Sequence, residues 1–144
     1  MKLMSKHEEG DLIKELFFTT KQLRAFIAKD LRKLDIGFEQ AGILFLLGSR
    51  GALSISEIAQ FFEKDKATIS RTIKALEHKM FVKKQQVPED KRSNHIKLTQ
   101  LGLAKIGQLE GQKEFLLKKI KSAITAQEKQ IFVSTLRKIL EVIK

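Results

Sequence analysis

Apolar positions recur with a helical period through most of this chain, and the pattern changes character only once. From 11 to 34, Leu12, Leu16, Leu23, Phe26, Ile27, Leu31 and Leu34 fall close to one helical stripe. Ile13, Phe17 and Phe18 widen that stripe beyond what one core face needs, which leaves apolar surface for a second partner. Asp35 or Gly37 starts the next helix, which carries Ala41, Leu44, Phe45 and Leu47 and is expected to stop at Gly48. Ser54-Ile-Ser-Glu57 has the spacing of a capping box, with the serine hydroxyl covering the free amide of Glu57 and the carboxylate reaching back. It opens a short helix with Ile55, Ile58, Ala59 and Phe62 on its buried face.

Asp65 stands where an N-cap is wanted for a helix over 66–79. On that helix Ile69, Ile73, Leu76 and Met80 share one side, while Ala67, Ser70, Arg71, Lys74 and His78 share another that is small, polar or basic. Two short helices joined by Glu63–Asp65, the second with a polar outer face, have the form of a helix-turn-helix. After Met80 the period shortens. Phe81–Val87 and Asn94–Leu98 read as two strands around a polar tip at Pro88–Asn94. Thr99 starts a long helix with Leu103, Ile106, Leu109, Leu116 and Ile120 on one stripe, in which Gly107 and Gly111 either weaken the helix or admit another one closely. Thr125-Ala-Gln-Glu128 is a second capping box and opens a last helix with Ile131, Leu136, Ile139, Leu140 and Ile143.

The fold class expected from these elements is mainly α with a small β-hairpin wing. A winged helix-turn-helix lobe over 37–98 is flanked by N- and C-terminal helical regions, 1–36 and 99–144. Either the two ends complete one monomeric core, or they pack as a dimerisation region. The dimer is favoured, because a chain this short has little else on which to bury two apolar end helices.

Composition narrows the function. An apolar fraction of 42% with 31% charged residues is that of a folded globular chain, and a single proline fits a mostly helical one. The formal net charge of +11 favours a polyanionic partner. Residues 64–97 hold ten Lys/Arg and four Asp/Glu, so they supply +6 of that excess in the segment with the polar-faced helix. With no cysteine, disulfides and thiolate metal sites are excluded. His7, His78 and His95 form no pair at metal-ligand spacing, so no metal and no cofactor are expected. No phosphate-binding glycine loop or nucleophile elbow appears, and Glu8 with Glu9 makes no convincing acid–base pair. An enzyme is therefore not expected, and no residue is assigned a catalytic role. The first residues lack the apolar run of a signal peptide, and the longest clean apolar run, Ile43–Leu47, is too short to span a bilayer. A cytoplasmic protein with no membrane partner is expected.

The partner these features favour is double-stranded DNA. A helix face with a guanidinium, a hydroxyl and an ammonium and no bulky apolar group suits the major groove. The hairpin adds Lys83, Lys84, Lys91, Arg92 and Lys97. A two-fold dimer presents two such helices about 34 Å apart, which calls for a near-palindromic operator. Candidate DNA-binding residues are Lys66, Ala67, Thr68, Ser70, Arg71 and Lys74 on the helix and Asp90, Lys91 and Arg92 in the hairpin. Arg71 either pairs with a guanine edge or grips a phosphate. Thr68 and Ser70 are short donors near the helix start, and Lys66 and Lys74 are phosphate clamps. Asp90 would be repelled by phosphate, so it either holds Arg92 or Arg71 in place or satisfies its own turn. An architectural protein that binds DNA without sequence choice is the alternative to a sequence-specific regulator.

The order of elements and two local motifs resemble the MarR family of bacterial transcriptional regulators. The more specific motif is EDKRSNHIKLTQLG, residues 89–102, with Asp90, Arg92, Leu98, Thr99 and Gly102 at the spacing of that family's wing signature. The stretch ATISRTIKALEHKMFV similarly resembles its recognition helix and the strand that follows. The resemblance implies an obligate homodimer that binds operator DNA, usually as a repressor, with Arg92 at the wing tip entering the minor groove. It also implies release from DNA by a small phenolic or otherwise amphipathic effector bound between the dimerisation helices and the DNA-binding lobe. One departure is Met80, where the family often has glycine, so this junction is expected to close differently.

Overall fold

The computed structural model describes residues 10–87 and 90–144, with the side chains of Val87 and of residues 90–93 outside that description. Two compact units divide the chain, residues 1–109 and 110–144. The first contains helices α1 (Leu12–Lys33), α2 (Phe38–Arg50), α3 (Ile55–Phe62) and α4 (Lys66–His78), with strands β1 (Leu53–Ser54), β2 (Val82–Val87) and β3 (Asp90–Leu98). Helix α5 (Gln100–Lys121) runs from the first unit into the second, which also holds α6 (Ala126–Ile143). The expected fold class, mainly α with a winged helix-turn-helix, is the one observed. Among the described residues no helix is long and apolar enough to cross a membrane.

Local chemistry accounts for most helix starts. Asp11 accepts from the Lys14 amide at 3.2 Å at the head of α1. At the head of α3 the capping box is closed in both directions. The Glu57 amide donates to Ser54 Oγ, and the Ser54 amide donates to Glu57 Oε1, each at 3.1 Å. Donation from the Ser54 amide, and after it from the Ser54 hydroxyl, holds the Glu57 carboxyl below the ordinary glutamate range. Thr125 and Glu128 repeat the arrangement for α6 at 3.0 Å in both directions.

Helix stops are less expected. Helices α1, α3 and α4 each end on a left-handed residue that is not glycine: Asp35 at φ +54°, Glu63 at +53° and Met80 at +66°. Each stop is a Schellman motif. In α4 the Met80 amide donates to Glu77 O at 2.9 Å and the Phe81 amide to Leu76 O at 3.0 Å. The matching pairs are Asp35 to Arg32 and Ile36 to Leu31, then Glu63 to Gln60 and Lys64 to Ala59. Met80 thus makes the left-handed stop that glycine would make, which corrects the expectation that the junction closes differently. It also leaves the apolar side of α4, because the helix has already ended, and its side chain is exposed.

One further expectation is corrected, one element is new, and one alternative is settled. Gly48 does not stop α2, which continues to Arg50 and ends at Gly51 with φ +80°. Gly48 instead lets the Ile106 side chain come close, since a Cβ there would lie 3.1 Å from Ile106 Cδ1. Strand β1 was not foreseen. It pairs antiparallel with β3, Leu53 opposite Ile96 and Ser54 opposite His95, making a three-stranded sheet in the order β1-β3-β2. Gly37, rather than Asp35, is the N-cap of α2.

The buried core lies entirely in the first unit. Ile43 and Leu44 from α2, Ile58 from α3, Ile73 and Leu76 from α4 and Ile96 from β3 are its most enclosed side chains. Helix α6 buries no residue, and Gly107 and Gly111 of α5 face open space.

Candidate nucleic-acid interface

Burial of one side of α4 fixes what the other side shows. Ile69, Ile73 and Leu76 are 3%, 1% and 0% exposed, so the helix cannot roll without opening the core. Lys66, Ala67, Arg71, Lys74 and His78 are consequently exposed, and Thr68 and Ser70 are half-buried at the rim. All six α4 candidates therefore lie on or beside one solvent-facing surface. Its chemistry is small at Ala67 and cationic around it.

The head of this helix is held by a short relay. Asp65 accepts from the Thr68 amide at 3.0 Å and from the Thr68 hydroxyl at 2.6 Å. These bonds, with a smaller contribution from the nearby Arg71 charge, hold the Asp65 carboxyl below the ordinary aspartate range. Arg71 Nη2 in turn donates to Thr68 Oγ1 at 3.4 Å, a long bond that orients the guanidinium along the helix surface. The Thr68 hydroxyl hydrogen is directed to Asp65, so in the free protein this threonine orders its neighbours. The Thr72 hydroxyl donates back to Thr68 O at 3.1 Å.

The wing is aimed by the opposite end of α4. Thr99 Oγ1 donates to Met80 O at 2.5 Å and accepts from the Gly102 amide at 3.0 Å, so one hydroxyl joins the helix stop to the first turn of α5. The Thr99 amide donates to Phe81 O at 3.1 Å. A Cβ on Gly102 would overlap that same carbonyl oxygen, which is why no larger residue fits. Thr99 and Gly102 of the sequence motif thus fix the root of the wing, and Leu98 packs against the core. Strands β2 and β3 pair from Val82 opposite Leu98 to Gln86 opposite Asn94, with an irregularity before Val87 opposite Asp90. Lys83, Lys84 and Lys97 are exposed on this hairpin, and Lys84 lies 3.9 Å from Glu77 of α4. The side chains of Asp90, Lys91 and Arg92 lie outside the described residues.

A sequence model of the MarR family matches residues 39–94, the stretch from α2 into the wing. YfiV of Bacillus subtilis, named as an uncharacterised HTH-type transcriptional regulator, is 34% identical over 101 residues, covering 68% of this chain and 61% of that protein. Residues 39–94 match the MarR family. Another relative, the HTH-type transcriptional repressor IacR of Pseudomonas putida, is 28% identical over 114 residues, 78% of this chain and 65% of IacR. The chain spans roughly three-fifths of the length of its curated relatives, from 57% to 65%. Among solved structures, a mutant MarR from E. coli complexed with operator DNA superposes with a TM-score of 0.80 at 22% identity. That match covers 95% of this chain and 99% of the other.

Sequence reasoning missed the residues that brace this interface from behind. Lys79 Nζ donates to Asp35 O at 2.7 Å and to Gln40 Oε1 at 2.9 Å, and Lys105 Nζ donates to Leu34 O at 2.9 Å. A lysine at a helix end was a visible signal, but the acceptors lie 39 to 71 residues away and no local rule connects them. Among the described residues, no three His, Asp or Glu side chains are gathered as a metal site would need.

Proposed function

We propose that this chain is a dimeric, sequence-specific DNA-binding transcriptional regulator acting as a repressor. The observation that carries the reading is the exposed cationic face of α4, locked outward by Ile69, Ile73 and Leu76 and followed directly by a basic hairpin. The helix enters the major groove, Arg71 reads a base edge or clamps a phosphate, and Lys66 and Lys74 neutralise backbone charge. Arg92 enters the flanking minor groove from the wing, with Asp90 holding an arginine and Lys91 beside it. The operator complex of the E. coli MarR mutant supports this mode, and the name of IacR supports repression.

The dimer rests on exposed apolar surface at both ends of the chain. Leu12, Ile13, Phe17 and Leu23 on α1, and Ile131, Phe132, Leu136 and Leu140 on α6, are between 38% and 74% exposed. Surfaces of this kind are covered by a second protomer, placing two α4 helices about 34 Å apart on a near-palindrome. Residues 1–36 and 99–144 then form the dimerisation region and 37–98 the DNA-binding lobe. A cavity of about 220 Å³ in the first unit, bounded by Arg24, Phe38, Gly42, Phe62, Thr68 and Thr72, suits a single-ring amphipathic effector. It touches both α1 and α4, so occupancy biases the recognition helix.

Selection of duplexes from a random pool by the purified full chain, followed by affinity titration over a salt series, tests the reading. A palindromic motif bound far more tightly than scrambled duplex, with a steep salt slope, is expected. Equal affinity for all duplexes would establish the architectural alternative. Arg92→Ala should weaken the selected operator about tenfold or more, as for loss of a groove-inserted cation, without changing the melting point.

A further inference from the structure

The geometry points to Lys79 as the positioning residue that sets the aim of the recognition helix relative to α1. This inference rests on the dimeric DNA-binding reading and goes beyond it, because Lys79 is not on the face offered to DNA. It is the C-cap of α4, and its side chain is only partly exposed.

The ammonium makes three contacts at the α1–α2 turn. It donates to Asp35 O at 2.7 Å and to Gln40 Oε1 at 2.9 Å, and it lies 3.9 Å from the Asp35 carboxylate. Gln40 Oε1 also accepts from the Gly37 amide at 3.1 Å, so the same oxygen caps α2 and holds the lysine. The attachment point is rigid, because Asp35 is the left-handed residue of the Schellman stop of α1. The carbonyls just past a helix end carry the negative pole of its dipole, and a cation there is favoured. Lys105 supplies a second ammonium to the adjacent Leu34 carbonyl at 2.9 Å, so the end of α1 is held from α4 and α5 together.

The consequence follows from where α1 and α4 face. α1 carries exposed apolar surface that the proposed dimer covers, whereas α4 carries the DNA face. A charged tie between the end of one and the end of the other converts the dimer geometry into recognition-helix separation. Removing the ammonium leaves both helices folded on their apolar faces and frees their relative orientation.

The chain has no cysteine, so a single His78→Cys substitution at an exposed position of α4 carries one spin label per protomer. Pulsed dipolar spectroscopy of the labelled full chain then reads the separation of the two recognition helices. A narrow distance distribution in the labelled parent is expected. Lys79→Met should broaden it with the helical CD signal retained and only a small fall in melting point, and Lys79→Arg should restore it. Operator affinity of Lys79→Met should fall about tenfold, since losing intramolecular charge-assisted bonds costs some stability and freeing the helices costs binding. A distribution as narrow in Lys79→Met as in the parent, or a parent already as broad, overturns the positioning role while leaving the DNA reading intact. A parent with no dipolar signal is a monomer, which overturns the dimer reading and this inference with it. Should Lys79→Met not fold, Lys79→Gln keeps a polar side chain but removes the charge; an unbroadened distribution there overturns the role of the ammonium equally.

Discussion

Helices α4 and α6 carry equally regular apolar stripes and meet different fates. On α4, Ile69, Ile73 and Leu76 are at most 3% exposed, whereas on α6 no residue is buried and Leu136 and Leu140 are 38% and 50% exposed. Periodicity therefore specifies that a face will be covered but not by what. For α4 the cover is within the chain: Ile43 and Leu44 of α2, Ile58 of α3 and Ile96 of β3 belong to the same core. For α6 the proposed cover is a second copy. The two helices thus differ in what they commit to: α4 is fixed so that its polar side faces outward, and α6 keeps an apolar face that the proposed dimer would use.

That difference is broken most severely by truncating each stripe. Ile73→Ala removes a side chain that is 1% exposed and should destabilise the fold by about 2–5 kcal/mol, the usual range for opening a core cavity. Because its contacts lie within one chain, the loss should not depend on protein concentration. Leu136→Ala should instead lower the melting point in a concentration-dependent way and shift sedimentation towards monomer, because in the proposed dimer association covers that face. Identical concentration dependence for both variants would remove the distinction between the two helices.

A second contrast lies at the two ends of α4 itself. The tail end is closed by backbone proximity, the head end by a titrating side chain. Gly102→Ala at the tail end would force a methyl group into the Phe81 carbonyl. It should destabilise by about 1–3 kcal/mol, as overpacking does, and weaken operator binding through a displaced wing. An alanine variant that melts like the parent would show that the wing root is pliable. At the head end, Asp65 has its pKa held below the ordinary aspartate value of 3.8, so it stabilises the fold while ionised. That contribution is fully present above the ordinary value and disappears as pH falls through the lowered one. Asp65→Asn keeps a capping oxygen but no charge. In urea melts the parent should exceed it at neutral pH, and the gap should close at acidic pH. A gap constant across that range would mean that charge contributes nothing to this cap.

These cases also show where the chain was readable in advance. Caps at Ser54, Asp65 and Thr125 act over three residues, so they could be read directly. The exposed polar side of α4 was readable as the complement of its buried stripe. What escaped depends on residues distant in sequence. β1 is two residues long and makes sense only opposite Ile96 and His95, and Gly48 looked like a stop because its reason for being small is Ile106. Lys79 and Lys105 escaped for the same reason, their acceptors being supplied by the α1–α2 region. Met80 was placed on the buried side because the apolar spacing continues past a helix end marked by neither glycine nor proline.

Met80 offers the smallest and sharpest test, because it separates the backbone's requirement from the side chain's. A left-handed backbone costs an L-residue about 1–2 kcal/mol, and glycine escapes that while losing roughly 0.5–1 kcal/mol to the greater freedom of its unfolded chain. At φ +66° and 67% exposed, Met80 bears the conformational cost and returns little burial. The bonds that close the junction run through its backbone, to Glu77 O and from Thr99 Oγ1, and glycine keeps both. Met80→Gly should therefore raise the urea midpoint slightly, by less than about 1 kcal/mol in stability, with operator affinity unchanged. A clear loss of stability would mean that the methionine side chain is covered after all. In a protein that is otherwise intact, the second protomer would be the candidate cover, and the contrast between chain-internal and chain-external burial would then reach into the winged lobe.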